Sequence, residues 1–200
     1  MKILLTAFDA FGGEPVNPAL EAVMSVVPPE GVQLIRIKVP TIFGESVREA
    51  ARAMEEERPD AVLCIGQAGG RSCVTPERVA VNLMDASIPD NAGFMPEEQP
   101  VIPGGENALF STLPVKKIAA AIWEAGVPSQ VSNTAGTFVC NQLYYGVLDL
   151  CRKQYPGTRA CFIHVPFLPE QVEDRPGCPS MSLGNMIIAL RAALKAVASL

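Results

Sequence analysis

The chain has 200 residues, enough for one domain with a sizeable core or at most two small ones. Its 48% hydrophobic content excludes a disordered chain. Sixteen basic residues against 21 acidic ones, with no Lys/Arg cluster, argue against nucleic acid as a partner. The six cysteines (64, 73, 140, 151, 161 and 178) are scattered, and the short apolar start interrupted by Thr6 and Asp9 reads as a buried strand rather than a leader. Reduced thiols and a cytoplasmic location are therefore expected. No apolar run is long enough for a membrane span, and a single histidine without a close CxxC pair does not make a zinc site.

Lys2–Phe8 is expected to be a buried strand ended by the Gly12-Gly13 turn. Asn17 is placed to cap a helix with Pro18 at its first position, running to about Val27. A second strand is expected over Val32–Val39. Apolar residues at Phe43, Val47, Ala50, Ala51 and Met54 then form one helical face. Asp60–Ile65 reads as a buried strand, and Cys73–Leu83 as one or two short strands around Glu77. Asp85–Gly105, rich in Pro, Gly, Asn and Asp, reads as a long loop of the kind that often carries function. A helix over Pro114–Glu124, a strand over Pro128–Asn133 and a helix over Cys140–Lys153 follow. The chain continues with a strand over Arg159–Val165, a loop over Pro166–Pro179 and an apolar helix over Met181–Ala198. This alternation predicts a single α/β domain spanning 1–200, with a mostly parallel mixed sheet covered on both faces.

Three segments carry candidate chemistry. Cys140 opens a helix after a small-residue turn, where free N–H groups and the helix dipole are expected to lower a thiol pKa and to stabilise an oxyanion. Cysteine in such a place is equally often a small buried hydrophobe. His164 ends a buried strand just before Pro166, and reads either as a core imidazole or as the base for Cys140. Glu77 reads either as the acid that orients His164 or as a surface charge paired with Arg78. Gly66–Gly70 lacks a Walker lysine and GxGxxG spacing, which makes phosphate binding a weak reading.

Two stretches, Gly66–Asn82 (GQAGGRSCVTPERVAVN) and Ser132–Asn141 (SNTAGTFVCN), resemble the pyroglutamyl peptidase (pyrrolidone-carboxylate peptidase) family of cysteine peptidases. Both occur in the family's order and at its Glu-to-Cys spacing. The resemblance extends to the N-terminal glycine turn, Asn17-Pro18, Ile88–Asn91 and His164. It implies a three-layer α/β/α sandwich similar to a phosphorylase/hydrolase core. It also implies Cys140 as nucleophile, His164 as general base and acid, and Glu77 as the residue orienting the imidazole. The implied reaction removes an N-terminal pyroglutamyl residue from a peptide through a thioester. No cofactor or metal is implied, and a homodimer or homotetramer is.

Pyroglutamate is an uncharged lactam, so its pocket needs apolar walls and a few amide hydrogen bonds. Phe8, Phe11 and Phe138 match family positions that line the pocket. Val139 and Gln67 are expected to contribute to substrate binding, and Asn17 to help order the pocket. Two departures stand out. The usual Gly-Phe-x-Pro-Phe-Gly is here Ala7-Phe8-Asp9-Ala10-Phe11-Gly12, and the family's usual arginine is Ser87. Serine replaces neither the charge nor the five donors. The expectation is therefore lower turnover, or compensation by Arg71 or Arg78. The alternatives are a lactam-binding homologue of little or no activity, or a retuned small-amide hydrolase.

Overall fold

In the computed structural model, which describes residues 1–200, the chain starts with β1 (Lys2–Phe8), α1 (Pro18–Ser25), β2 (Gln33–Val39), α2 (Glu45–Glu57) and β3 (Ala61–Gln67). Three short strands follow: β4 (Thr75–Glu77), β5 (Val79–Val81) and β6 (Ala108–Phe110). The chain ends with α3 (Val115–Glu124), α4 (Val139–Lys153), β7 (Arg159–Val165), a 3-10 turn (Pro169–Val172) and α5 (Leu183–Ala198).

The main sheet has the order β2-β1-β3-β7-β4, parallel throughout except for β4, which runs antiparallel to β7. Strand residues alternate between two cores. Ile3, Leu5, Leu63, Ile65, Cys161 and Ile163 pack against α1, α3 and α5. Leu4, Phe8, Val62, Cys64, Ala160 and Phe162 pack against α2 and α4. Burial on both faces explains why β3 and β7 read as near-continuous apolar runs. The result is the α/β domain with a covered, mostly parallel sheet expected from the alternation of elements, in the α/β/α sandwich that the family resemblance implies.

The strand order also positions the site. β2 lies on one side of β1 and β3 on the other, so the chain reverses its winding between β1 and β3. In such sheets the crevice at the carboxyl ends of the strands, next to this reversal, is the natural ligand site. Here those ends are Phe8 of β1, Gln67 of β3 and His164-Val165 of β7.

Local signals set the helix starts. The Asn17 side chain accepts from Ala19 N–H and Pro18 occupies the first turn of α1, while Ser182 accepts from Asn185 N–H at α5. Two elements depart from expectation. Pro128–Asn133 is not a continuous strand: it meets β4 and the residue before it through the isolated bridges Glu77–Ser132 and Val74–Ser129, because a three-residue strand offers no longer edge. β6, half-exposed and lacking apolar alternation, pairs with β5 in a separate hairpin-like ladder.

Candidate active site

Strand pairing brings the first two candidates together. Thr75 pairs with His164 and Glu77 with Phe162 across β4 and β7, so all four side chains share the face beneath α4. His164 Nδ1 lies 2.7 Å from Glu77 Oε1, and both side chains are buried. An ionised carboxylate only accepts, so the proton sits on Nδ1 and Nε2 carries the free lone pair. Burial pushes the His164 pKa below its ordinary value more strongly than the Glu77 carboxylate raises it. Burial pushes Glu77 up, but its hydrogen bond and charge contact with His164, followed by the side chains of Ser132 and Arg71, outweigh this and hold it below the usual carboxylate range. The resting pair is therefore a carboxylate and a neutral imidazole at neutral pH. Glu77 is not the surface partner of Arg78, which donates instead to Asn133 Oδ1.

Cys140 is the second residue of α4, and Phe138 caps that helix without a side-chain hydrogen bond. The first-turn N–H groups thus remain available to an anion. Gly66 pairs with His164 in the β3–β7 register, and its missing side chain leaves the space that the thiol uses. A Cβ there would sit 3.1 Å from Cys140 Sγ and 2.7 Å from Phe162 Cζ. The thiol and the imidazole therefore stand over neighbouring strands at the same level. The expected depression of the thiol pKa is not found. Burial, followed by the Glu77 charge, pushes Cys140 up to about 12. The helix start is real, but the apolar packing around the thiol dominates, so the sulfur rests protonated.

Three polar side chains lock this arrangement. Tyr144, one turn beyond Cys140, donates to the Glu77 carbonyl at 2.9 Å and ties α4 to β4. Asn141 is fully buried. Its amide donates to the Val81 and Leu83 carbonyls, and its Oδ1 accepts from Val81 N–H. Arg71 Nη1 donates to Glu77 Oε1 at 2.5 Å, and Nη2 donates to the Thr134 carbonyl at 3.0 Å.

The expected pocket residues divide into two groups. Phe11 and Phe138 are half-buried with ring centroids 6.1 Å apart, and Phe43 stands edge-on to Phe138 at 5.4 Å. Phe94 meets the other side of Phe43, so an aromatic row reaches the surface through the long loop. Gln67, at the end of β3, accepts from Gln171 Nε2 in the second loop. Phe8 and Val139, in contrast, are fully buried core residues, and Phe8 packs on Phe162. The buried Asn17 donates to the Asp9 carbonyl as well as capping α1, fixing the turn that carries Phe11.

The long loop is anchored to that turn. Buried Asp90 accepts from Phe43, Ala92 and Phe94 N–H groups, and Asn91 donates to Asp9 Oδ1 and the Ala10 carbonyl. Ser87 is exposed on it and makes no side-chain hydrogen bond. Arg71 and Arg78 are both committed elsewhere, to Glu77 and Asn133. A cavity of about 690 Å³ lies between α5, the end of α3 and the loop after α1, and shares no residue with this cleft.

Sequence reasoning missed the steric role of Gly66, the ring of Phe162 packed on His164 at 4.6 Å, the Tyr144 anchor and the Arg71 contact with Glu77. Only Tyr144 carried a local signal, since it stands one helical turn from Cys140.

Comparison with known proteins extends over essentially the whole chain. The family model described as pyroglutamyl peptidase matches residues 1–199. The pyrrolidone-carboxylate peptidase of Levilactobacillus brevis is 52% identical over 198 residues, covering 98% of this chain and 97% of that protein. The corresponding protein of Lactobacillus johnsonii is 51% identical over 199 residues, covering 98% and 92%. The crystal structure of pyroglutamyl peptidase I from Bacillus amyloliquefaciens superposes with a TM-score of 0.94 at 44% identity, covering 100% of this chain and 97% of that one. A mutant pyrrolidone carboxyl peptidase from Pyrococcus furiosus gives 0.95 at 37% identity, covering 100% and 99%. Sequence and backbone thus match from end to end, and the chain belongs to the pyroglutamyl peptidase family.

Proposed function

We propose that this chain is a cysteine exopeptidase that hydrolyses the bond after an N-terminal pyroglutamyl residue, with Cys140 as nucleophile, His164 as general base and acid, and Glu77 orienting His164. The observation that carries the proposal is the buried Glu77–His164 pair set beside a thiol at a helix start. A protein that only bound lactams would gain nothing from a buried carboxylate and imidazole, both of which are costly to desolvate.

The reaction follows from the protonation states. Cys140 Sγ attacks the pyroglutamyl carbonyl carbon as its proton passes to His164 Nε2, and the imidazolium so formed is held by Glu77. The oxyanion meets the first-turn N–H groups of α4. As the C–N bond breaks, Nε2 returns the proton to the leaving amine, leaving a thioester on Cys140. Water then attacks the thioester carbonyl and gives its proton to Nε2. Collapse of that intermediate expels the sulfur, which recovers the proton, and releases free pyroglutamate.

Phe11, Phe138 and the backbone around Val139 form the walls for the flat lactam, Phe8 backs them, and Asn17 holds the turn that presents Phe11. Gln67 supplies amide hydrogen bonding. Free glutamate is rejected because a charged side chain would lose its hydration among the aromatic rings without gaining a partner. The whole chain acts as one such unit, as a cytoplasmic homo-oligomer without cofactor or metal, nucleic-acid partner or membrane contact. All six thiols are free, and no helix is long and apolar enough to cross a membrane.

The test is release of a fluorescent amine from its pyroglutamyl amide by the reduced native chain and by Cys140→Ser. A rate loss of about a thousandfold or more in the variant is expected. An inactive native chain that still binds 5-oxoproline would instead favour a lactam-binding homologue with Ser87 marking lost activity. Activity on other small amides would favour a retuned hydrolase.

A further inference from the structure

The Glu77 carboxylate is completely buried, yet only one of its oxygens is engaged. Oε1 receives the His164 Nδ1–H at 2.7 Å and Arg71 Nη1 at 2.5 Å, while Oε2 has no hydrogen-bond partner. A carboxylate so placed stays ionised only against a full counter-charge. A neutral imidazole does not provide one. Arg71 is the one lysine or arginine paired with Glu77, and its side chain is itself about three-quarters buried, at 26% exposure.

The same guanidinium reaches further. Nη1 also donates to the Thr75 hydroxyl, and Nη2 to the Thr134 carbonyl. Thr75 pairs with His164 across β4 and β7, and Thr134 lies in the turn that passes through Gly136, at φ +76°, to Phe138 and Cys140. One side chain therefore touches the residue paired with the base, the acid that holds the base, and the turn that delivers the nucleophile.

We propose that Arg71 is a positioning residue for catalysis, supplying the counter-charge for buried Glu77 and bracing it against the turn before Cys140. This role rests on the peptidase reading of Cys140, His164 and Glu77. The charged and titratable groups around the imidazole are Glu77 on β4, Arg71 on the preceding loop and Cys140 on α4, with Cys64 of β3 near the thiol. Burial and Arg71 both disfavour the imidazolium, and Glu77 alone favours it. Without Arg71 the buried carboxylate would draw a proton onto His164 at rest, and the base would be lost before substrate arrived.

His164 is the only histidine in the chain, so protein labelled at histidine carbons gives one imidazole signal by NMR. Its titration reports the site without turnover. In Arg71→Met the midpoint is expected to rise by about one pH unit or more, and the acid limb of kcat/KM to rise with it. At neutral pH kcat should fall by about tenfold or more while KM stays within about threefold. Arg71→Lys should bring the midpoint back to within about half a unit of native, with partial recovery of kcat. A folded Arg71→Met protein whose midpoint does not move overturns the proposal, even if its activity drops. Should that variant not fold, Arg71→Gln replaces it with the same two outcomes. Failure of the native chain to cleave pyroglutamyl amides would count against the peptidase reading, and the substrate-free titration keeps the two failures apart.

Discussion

On the sheet face covered by α1, α3 and α5, the core is a cluster of 27 buried apolar residues. On the opposite face, 20 apolar core residues share the space with buried Ser46, Glu77, Asn141, Gln142 and His164. The first face needs only shape and volume to be satisfied. The second also carries polar groups that need partners, and most find them through specific bonds such as Tyr144 to the Glu77 carbonyl and Asn141 to the strand at Val81, Glu77 Oε2 being left without one. The contrast teaches where stability and chemistry are separable: the first core is a platform, and the second holds a polar network whose geometry is the site.

The largest test of that separation pairs Glu77→Gln with Leu190→Ala. Glutamine keeps the volume of Glu77 but cannot stabilise an imidazolium by charge, so kcat/KM is expected to fall roughly a hundredfold to ten-thousandfold. Leu190, buried in α5, makes no contact with the polar network, and its truncation is expected to cost about 2–5 kcal/mol of stability. Its kcat/KM should stay near native below the unfolding transition. Denaturant unfolding and steady-state kinetics on both variants check this. An active Glu77→Gln, or a catalytic collapse in folded Leu190→Ala, would break the separation.

A smaller effect is expected at the exposed rim of the polar face. Ser87 makes no side-chain hydrogen bond, and neither Arg71 nor Arg78 is free to replace the family's usual arginine. Ser87→Arg is predicted to raise kcat severalfold by restoring the charge and donors that serine lacks. A rate that stays the same or falls would show that the anchoring of the loop through Asp90 and Asn91 already suffices.

The platform face was legible in the sequence because its signals are local. Apolar runs at Lys2–Phe8 and Arg159–Val165 fall on observed strands with the same bounds, and Asn17-Pro18 starts α1 as expected. The candidates Glu77 and Cys140 lie in two motifs that resemble the family and His164 is the one histidine of the chain; the structure sets His164 within hydrogen-bond distance of Glu77. What surrounds them was not legible in the sequence. Glu77 is adjacent in sequence to Arg78 but bonds Arg71, because strand alternation turns neighbouring side chains to opposite faces. The thiol's environment depends on Gly66 and Phe162, which reach it from two other strands. A helix start suggests an easily ionised thiol. Burial among distant residues decides otherwise, and no local pattern records it.

With both thiol and imidazole of the polar face uncharged at rest, the proposed mechanism forms the thiolate only when substrate is bound. The most direct measurement is the rate at which iodoacetamide alkylates Cys140 in the substrate-free protein, followed from pH 6 to pH 9 by peptide mass mapping. With the Cys140 pKa raised towards about 12, the thiolate fraction grows with pH across this whole window, and the rate should climb without a plateau. A rate that is already high and flat through neutral pH would reveal a preformed thiolate–imidazolium pair and contradict the account.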